Sequence, residues 1–299
     1  FRPRMLFLNH CEDVVVAGIQ VQNSPSWNIH PYFSDNLRFI DLKVLNPKVS
    51  PNTDGLDPES CKNVEIVGVY FSLGDDCIAV KAGKIYMGAK YKRPCENLMI
   101  RQCCMRDGHG SVTIGSEMAG GVINLTVKDC LFINTDRGLR IKTRRGRGKD
   151  AIVDGILFDN IQMDQVMTPL VINCFYFCDP DGKTTYVQSR DVYPVDDRTP
   201  QVKKMVFENM ECTNCHVAAA FFDGLPEQKI EESYMKEYYL RQLRQKVVDE
   251  TFADFNLIEF EGKGLTPEML TEAIDSYPAM ADKKLIIVKD FDLFKPPAG

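Results

Sequence analysis

Three aspartates have the residue type and spacing that best fit catalytic chemistry. Asp54 lies in the segment Asn-Thr-Asp-Gly, and Asp75 and Asp76 follow in Gly-Asp-Asp-Cys after an interval of 21 residues that contains a Val/Ile-rich strand pattern. If this interval is one turn of a β-solenoid, the carboxyl groups stack on neighbouring strands, roughly 4.8 Å apart. Like charges at that distance raise at least one pKa and leave a proton for donation. Acid/base cleavage of a carbohydrate needs such a set of carboxyl groups.

A histidine and a pair of cations follow on later segments. His109 lies between two glycines, where unusual backbone angles are accessible. Arg140 and Lys142 alternate along a predicted strand, so both side chains point to one face. Arginine can hold a carboxylate through two parallel hydrogen bonds, so the pair predicts a clamp for a sugar acid. Taken singly, each acidic segment is typical of a turn or of a solvated surface pair. The acidic segments, the histidine and the cation pair on successive coils together favour a catalytic site.

The elements that must position these residues repeat along the first 230 residues. A small or polar pair, an alternating apolar run and a Gly/Asn/Asp turn recur, with anchors at positions 14, 37, 64, 98, 125, 156 and 205. The intervals of 23, 27, 34, 27, 31 and 49 residues contain no long helical pattern and predict an all-β parallel β-helix, a solenoid with loops of variable length. The longest interval places an insertion at residues 175–200. A twisted β-sandwich is the alternative fold.

Two columns of polar residues support this register. One place before an anchor stands an asparagine in four repeats: Asn36, Asn63, Asn97 and Asn124. Three places before an anchor stands a cysteine or serine: Cys11, Ser34, Cys61 and Cys95. Equivalent positions superpose in stacked coils, so the asparagines are expected to hydrogen-bond to one another along the column. No capping helix is predicted at either end, which would leave strand edges and core side chains exposed.

The composition changes near residue 230. Residues 231–299 hold 9 Lys and Arg against 14 Asp and Glu, whereas all 11 cysteines lie between Cys11 and Cys215. An odd number of cysteines at irregular spacing argues against a full disulfide framework. In the tail, the spacing of apolar residues and the helix-start signal Thr266-Pro267 predict four elements. In order, these are a helix over Glu232–Val248, a strand over Phe255–Phe260, a helix from Thr266-Pro267 to about Tyr277 and a strand over Leu285–Val288. We therefore predict two domains, a β-helix over 1–230 and a partial α/β segment with parallel strands over 231–299.

At this point the segments resemble a known family. The four signature motifs of the polygalacturonases, glycoside hydrolase family 28, are similar, in this order, to Asn52-Thr53-Asp54, Gly74-Asp75-Asp76, Gly108-His109-Gly110 and Arg140-Ile141-Lys142. The resemblance covers about residues 1–230. It implies a right-handed parallel β-helix that hydrolyses α-1,4-galacturonosyl bonds of pectic polygalacturonate with inversion of configuration. It also implies a secreted or periplasmic location, and a first residue of Phe1 would fit a processed form or a fragment.

The same resemblance implies a role for each matched residue. Asp75 matches the general acid, and Asp54 and Asp76 match the pair that positions and activates water. His109 matches the residue that tunes the acid. The substrate contacts are Asn52, Arg140 and Lys142. One conflict arises, because carboxylates one strand apart lie nearer than the roughly 6.5–9.5 Å expected of inverting enzymes, so spacing alone would have favoured retention.

The tail over residues 231–299 resembles the N-terminal part of the delta subunit of the bacterial DNA polymerase III clamp loader. The resemblance is carried by Glu232-Ser233-Tyr234, Phe255-Asn256, Ser276-Tyr277-Pro278 and residues 283–289. No Gly-x-x-x-x-Gly-Lys motif is present, so nucleotide hydrolysis by the tail is not predicted. Polygalacturonases do not ordinarily carry such a tail. We interpret the chain as two truncated coding regions joined near residue 231, with a natural fusion as the alternative.

Three other functions stay open on the sequence. They are an inactive truncated or chimeric chain that at most binds oligogalacturonate, a calcium-dependent pectate lyase, and a clamp-binding segment in the tail. The segment Cys212–His216 matches the haem-attachment pattern, but it lies at the end of a predicted strand, so no cofactor and no metal is predicted. The basic run at residues 144–149 is expected to line the groove for a polyanionic sugar or to form a solvated loop, and nucleic acid is not predicted as a partner. No apolar run approaches the roughly 20 residues of a membrane span.

Overall fold

The structure, a computed structural model, describes residues 2–84, 90–235, 250–261, 265–281 and 283–289. The chain divides into two compact units, Phe1–Met235 and Lys236–Gly299. The first unit is built almost wholly from strands, and the second alternates short helices and strands. Among the described residues, no helix combines the length and the apolar character that crossing a membrane needs.

The first unit winds parallel strands into stacked coils. One sheet, here called the site sheet, contains β9 (Ile78–Val80), β12 (Val112–Ile114), β14 (Arg137–Lys142), β16 (Thr168–Asn173) and β18 (Ala220–Asp223). A further parallel pair is formed by β1 (Leu6–Asn9) and β4 (Ile29–Tyr32). Isolated bridges through Leu56 link β4 to β9, so the pair continues the same row of strands.

A second sheet, here called the ladder sheet, is 12-stranded. Its strands are β2 (Val15–Ala17), β3 (Gln20–Gln22), β5 (Asp35–Ile40), β6 (Lys43–Leu45), β7 (Lys62–Val67), β8 (Tyr70–Leu73), β10 (Cys95–Arg101), β11 (Cys104–Asp107), β13 (Val122–Ile133), β15 (Ile152–Asp164), β17 (Gln201–Thr213) and β19 (Glu231–Met235). Its strands pair in parallel from one coil to the next, for example β5 with β7 and β13 with β15. The all-β parallel β-helix predicted from the repeats is thereby confirmed.

The pairing register follows the predicted anchors. One column of paired residues runs through Leu37, Val64, Leu98, Leu125, Ile156 and Met205. All six side chains are buried, and each contributes about 1.5–3 kcal/mol relative to an exposed side chain. Alternate residues of each strand point inward, so the coils share one continuous apolar core.

The predicted asparagine column is also present, and we call it the amide ladder. The Nδ2 of Asn63 donates to Oδ1 of Asn36 at 2.9 Å, and Asn97 and Asn124 each donate to the preceding asparagine at 3.2 Å. These four residues have φ between 54° and 57°, in the left-handed region that asparagine tolerates better than most residues. The ladder therefore both turns the chain and joins one coil to the next.

The cysteine column is buried at Cys61 and Cys95, and the Cys11 N–H donates to Ser34 Oγ at 2.9 Å. All 11 cysteines of the chain are free thiols. The predicted insertion lies between β16 and β17 and contains a 3₁₀ helix (Pro180–Lys183) and α1 (Thr185–Gln188). The fully buried Arg145 fixes it, since its guanidinium bonds the Ser189 carbonyl at 2.6 Å and Glu227 at 2.5 Å.

In the second unit, a 3₁₀ helix (Glu250–Phe252) and α2 (Ala253–Asn256) precede β20 (Leu257–Glu261), and α3 (Pro267–Asp275) precedes β21 (Leu285–Lys289). The two strands are paired in parallel. Thr266 caps α3 by accepting a hydrogen bond from the Met269 N–H at 3.3 Å. The α/β character of the tail and its parallel strands are as predicted.

Two predicted boundaries in the tail are wrong. The helix expected over Glu232–Val248 does not begin there, because residues 231–235 form β19, which pairs in parallel with β17; residues 236–249 lie outside the described part of the chain. Pairing satisfies backbone groups at the sheet edge, and this outweighs the helical spacing of the aromatic residues. The strand expected from Phe255 begins at Leu257, because the buried Asn256 side chain bonds both the backbone N–H and the carbonyl of Ala279.

Candidate active site

Backbone hydrogen bonds place the site segments on consecutive coils. Each segment donates an N–H to a carbonyl of the next coil at 2.8–3.0 Å, and the donor–acceptor pairs are Gly55 with Asp76, Cys77 with Gly110, and Ser111 with Arg137. The segments lie at the edge of the site sheet, just before its strands begin. The coil-to-coil stacking predicted from the 21-residue interval thus brings the acidic segments side by side.

The three aspartates meet in one cluster, here called the aspartate cluster. One carboxylate oxygen from each of Asp54, Asp75 and Asp76 lies within 4.8 Å of the others. Asp54 and Asp76 are buried, whereas the Asp75 side chain is 18% exposed. Asp75 accepts backbone N–H bonds from Asn52 at 3.1 Å and Asp76 at 2.9 Å. The most accessible of the three carboxyl groups is therefore held in place by backbone donors.

The neighbours of Asp54 and Asp76 drive their pKa values apart. Burial raises the pKa of Asp54 to about 7, with the nearby Asp76 and Asp75 adding to the effect and Lys81 opposing it. Burial would also raise the pKa of Asp76, but Lys142 and Arg140 more than offset it and lower that pKa to about 2. Two adjacent carboxyl groups thus have different charges at neutral or mildly acidic pH.

His109 lies directly against Asp75. Its Nδ1 is 3.2 Å from Asp75 Oδ1, and the hydrogen bond to Asp75 raises the pKa of the imidazole despite partial burial. There is no room for a side chain at either of the flanking glycines. A Cβ on Gly108, whose φ is +84°, would lie 2.2 Å from the Asp75 carbonyl oxygen, and a Cβ on Gly110 would lie 2.9 Å from Asp76 Oδ1. The histidine segment therefore packs against both acids.

Arg140 and Lys142 project from the outer face of β14 towards Asp76. The Lys142 Nζ lies 2.7 Å from Asp76 Oδ2, and the Arg140 Nη1 lies 3.8 Å from Oδ1. Both cations also lie over the ring of Tyr176, at 5.7 Å and 5.6 Å from its centroid. These three residues line a cleft of about 480 Å³ on the outer face of the site sheet. The cations connect the aspartate cluster to this cleft.

Asn52, the remaining residue singled out in the sequence, lies at the rim of the cluster. It is exposed with φ +57°, and its side-chain oxygen accepts a hydrogen bond from Arg2 at 2.5 Å. The structure thus brings all seven sequence-selected residues to one region: Asn52, Asp54, Asp75, Asp76, His109, Arg140 and Lys142.

Carboxylate oxygens this close together have the spacing of a cation site. Here the cations come from the chain itself, since Lys142 bonds Asp76 directly and the Lys81 Nζ lies 3.7 Å from Asp54 Oδ2. The cluster therefore fits acid/base chemistry better than metal binding.

Sequence reasoning missed three residues of the site. Tyr176 follows β16 in the insertion, and Lys81 and Glu117 follow β9 and β12 on the site sheet. The position of each just after a strand of the sheet that carries the cluster was the available signal. Each stands alone among residues of other types, so no motif marked them.

Part of the chain is similar to known polygalacturonases. The probable polygalacturonase of Vitis vinifera is 39% identical over 171 residues, which are 56% of this chain and 35% of that protein. An endo-polygalacturonase of Pectobacterium carotovorum subsp. carotovorum is 36% identical over 58% of this chain and 41% of its own length. The crystal structure of an exopolygalacturonase from Thermotoga maritima superposes with a TM-score of 0.68 at 29% identity, covering 78% of this chain and 48% of that one. The chain therefore spans less than half of each of these proteins.

Protein-family models match both parts of the chain. The model of the DNA polymerase III delta subunit matches residues 231–298, which confirms the predicted resemblance of the tail. The model described as glycosyl hydrolases family 28 matches residues 1–225, about three quarters of the chain. The chain belongs to glycosyl hydrolase family 28.

Proposed function

We propose that the β-helix unit hydrolyses α-1,4-galacturonosyl bonds of pectic polygalacturonate. The observation that carries the proposal is the aspartate cluster beside two cations, because it supplies a proton donor, a proton acceptor and a partner for the substrate carboxylate in one place. Family membership and the polygalacturonases among the relatives support the substrate class.

Asp75 is the general acid in this proposal. It is the most exposed of the three carboxyl groups, so it can reach the oxygen of the scissile bond. The N–H groups of Asn52 and Asp76 fix its orientation. His109, whose Nδ1 lies 3.2 Å from Asp75 Oδ1, is assigned the role of tuning the acid.

Asp76 and Asp54 hold and activate the attacking water. Asp76 remains ionised beside Lys142, so it can accept a proton from water. Asp54, whose pKa is raised to about 7, can carry a proton and donate a hydrogen bond to the same water. A donor and an acceptor on one water fix the direction of its lone pair.

Arg140 and Tyr176 bind the sugar next to the scissile bond. The Arg140 guanidinium faces the cleft and can grip a galacturonate carboxylate, while the Tyr176 ring offers an apolar face for the pyranose. Lys142 contributes charge to this clamp, although its nearest partner is Asp76.

The first test is release of reducing ends from polygalacturonate by the wild-type chain and by Asp75→Asn. The substitution removes the proton and keeps the shape, so turnover is expected to fall by at least about 100-fold with binding retained. Asp197→Asn, the same chemical change at a carboxylate whose side chain is 83% exposed, is the matched control and is expected to match wild type. Equal turnover in Asp75→Asn and wild type would overturn the assignment of the acid.

Inversion of configuration is the finer part of the proposal. It rests on family membership, because the separation within 4.8 Å is shorter than the roughly 6.5–9.5 Å typical of inverting enzymes. Proton NMR of the newly formed reducing end, recorded before mutarotation, separates the two outcomes. The β-anomer as first product would support inversion, and the α-anomer would show retention.

The alternative functions make different predictions in the same assay. A lyase would release an unsaturated product that absorbs in the ultraviolet and would lose activity with a chelator. A chain that binds oligogalacturonate without hydrolysing it would show saturable binding and no reducing ends. A tail acting as a clamp-binding segment would bind a sliding clamp whether or not Asp75 is intact.

A further inference from the structure

Behind Asp54 lies a lysine to which the mechanism above gives no role. Lys81 follows β9 and is only 3% exposed. Its Nζ lies 3.7 Å from Asp54 Oδ2, 3.8 Å from Asp57 Oδ2 and 3.3 Å from Glu117 Oε2. One buried ammonium group is thus shared by three carboxyl groups, and it cannot neutralise all of them.

Glu117 takes the largest part of this positive charge. Burial alone would raise the pKa of Glu117, yet the Lys81 ammonium and the other donors around it lower that pKa to about 2, so the side chain is ionised. In turn, although burial works against it, Glu117 together with Asp57 and Asp54 holds the pKa of Lys81 well above its usual value. Buried Lys81 and half-buried Glu117 therefore form an ion pair next to the site.

Asp57 is the most deeply buried of the three carboxyl groups. It is fully buried, and neither of its carboxyl oxygens has a hydrogen-bond partner in the described part of the chain. Burial and the nearby Asp54 raise its pKa well above the usual range. Since Glu117 is ionised and burial favours the uncharged form of Asp57, the charge on Asp54 depends on how much of the Lys81 charge remains.

We propose that Lys81 is a positioning residue, held by Glu117 between Glu117 and Asp54. The way in which its positive charge is shared between these two carboxyl groups sets the charge on Asp54. The proposal rests on the proposed hydrolase function, because it concerns the group assigned to hold the attacking water. The other ionisable groups that face Asp54 or Lys81 are His30, Asp57, Asp75, Asp76 and Lys142.

The decisive variant is Glu117→Gln, which removes the competing charge and nearly preserves the shape. Lys81, whose Nζ already lies 3.7 Å from Asp54 Oδ2, then no longer shares its charge with Glu117, and an opposite charge this close lowers a carboxyl pKa. The ionisation of Asp54 is expected to move down by at least about one pH unit. Asp57→Asn is the matched control beside the same lysine, and because burial already disfavours the charged form of Asp57, it is expected to leave that ionisation in place.

Two measurements report the ionisation of the Asp54 carboxyl group. Carbon NMR of the full chain labelled at the aspartate carboxyl carbons reports it directly, and Asp54→Asn identifies the resonance without any need for turnover. The pH profile of kcat on oligogalacturonate reports it in the working enzyme. An unmoved Asp54 resonance in Glu117→Gln, or an equal shift in Asp57→Asn, would overturn the proposal.

Lys81→Met removes the cation, so we expect Asp54 to ionise at a higher pH than in the wild type. Lys81→Arg keeps the cation and should return the ionisation of Asp54 to its wild-type pH. If Lys81→Met does not fold, Glu117→Gln still decides, because the glutamate side chain is 19% exposed and tolerates the change better. A wild-type chain without hydrolysis would refute the proposed function, yet the NMR titration would still test the role of Lys81.

Discussion

The amide ladder and the aspartate cluster both place like side chains at equivalent positions of neighbouring coils, but they differ in what those side chains can exchange. In the ladder, Asn63 and Asn97 each donate to one neighbour and accept from the other. An ionised carboxylate has no donor, so the members of the cluster cannot bond one another in the way that the asparagines do. They depend instead on Lys142, Lys81 and backbone N–H groups.

The comparison shows that stacked asparagines stabilise the solenoid, whereas stacked aspartates lower its stability but provide groups that can exchange protons. The ladder is exposed to solvent, and its asparagines bond one another along the column, with Asn36 at its end donating to Asp13 at 3.0 Å. In the cluster, burial and the neighbouring carboxylates raise the pKa of Asp54 to about 7. Burial works in the same direction on Asp76, but Lys142 and Arg140 lower the pKa of that group to about 2. The same stacking that supports the fold in one column thus separates proton affinities in the other.

The largest effect should come from crowding the cluster. In Gly110→Ala, the new Cβ would lie 2.3 Å from Thr113 Oγ1 and 2.9 Å from Asp76 Oδ1. Overpacking of this kind costs about 1–3 kcal/mol, and displacement of a catalytic group by about 1 Å can cost 100-fold in rate. Thermal unfolding and kcat are both expected to fall. Gly18→Ala is the control, since its Cβ meets no atom within 4 Å and only its φ of +66° is strained; equal losses of kcat in the two variants would contradict the packing argument.

The clamp should show the next largest effect. Arg140→Ala removes the guanidinium that faces the cleft, and a hydrogen bond to a charged group contributes about 1.5–3 kcal/mol. We expect KM for oligogalacturonate to rise about 10- to 100-fold with a smaller change in kcat. Arg38→Ala, on β5 of the ladder sheet and paired with Glu65 at 3.2 Å, is the matched control. An unchanged KM in Arg140→Ala would remove the residue from the clamp.

A carboxylate placed in the ladder tests the comparison directly. Asn97→Asp keeps the acceptor for Asn124 but loses the donor to Asn63, which leaves two oxygens facing each other. We expect a loss of about 1 kcal/mol at neutral pH. The new carboxyl group regains a donor when protonated, so its folded pKa is raised and its stability contribution is present at low pH and lost as the pH rises. Urea unfolding at acidic and neutral pH would measure this, and a loss that does not vary with pH would argue against it.

The smallest effect concerns His109. Its folded pKa is raised above 6.5 by Asp75, so the pair stabilises the folded state fully below about pH 6.5 and loses that contribution as the pH rises through the raised value. The residue is about half exposed, so the effect on the melting temperature is expected to be small. His109→Gln should flatten this part of the melting curve against pH, while His10→Gln, at an exposed histidine far from Asp75, should not.

The sequence predicted the β-helix because its core positions and amides recur at intervals that only stacked coils bring together, as the column through Leu37 and Val64 shows. It predicted the cluster because Asp54 and Asp75 are one coil apart. It did not predict Tyr176, Lys81 or Glu117, since each is a single residue whose value comes from contacts across coils. Residues 232–235 form a strand where the sequence predicts a helix, because spacing within a segment does not show that a strand edge lies nearby.

The coil-to-coil hydrogen bonds have a consequence for how such a site changes over time. Loops between anchors vary so that the intervals run from 23 to 49 residues, yet the strands that carry the cluster stay in register. Insertions in the loops can therefore reshape the surroundings of the substrate without moving an acid. A change in loop length would therefore alter which polymer fits beside the aspartate cluster and would leave the spacing of its three carboxyl groups unaltered.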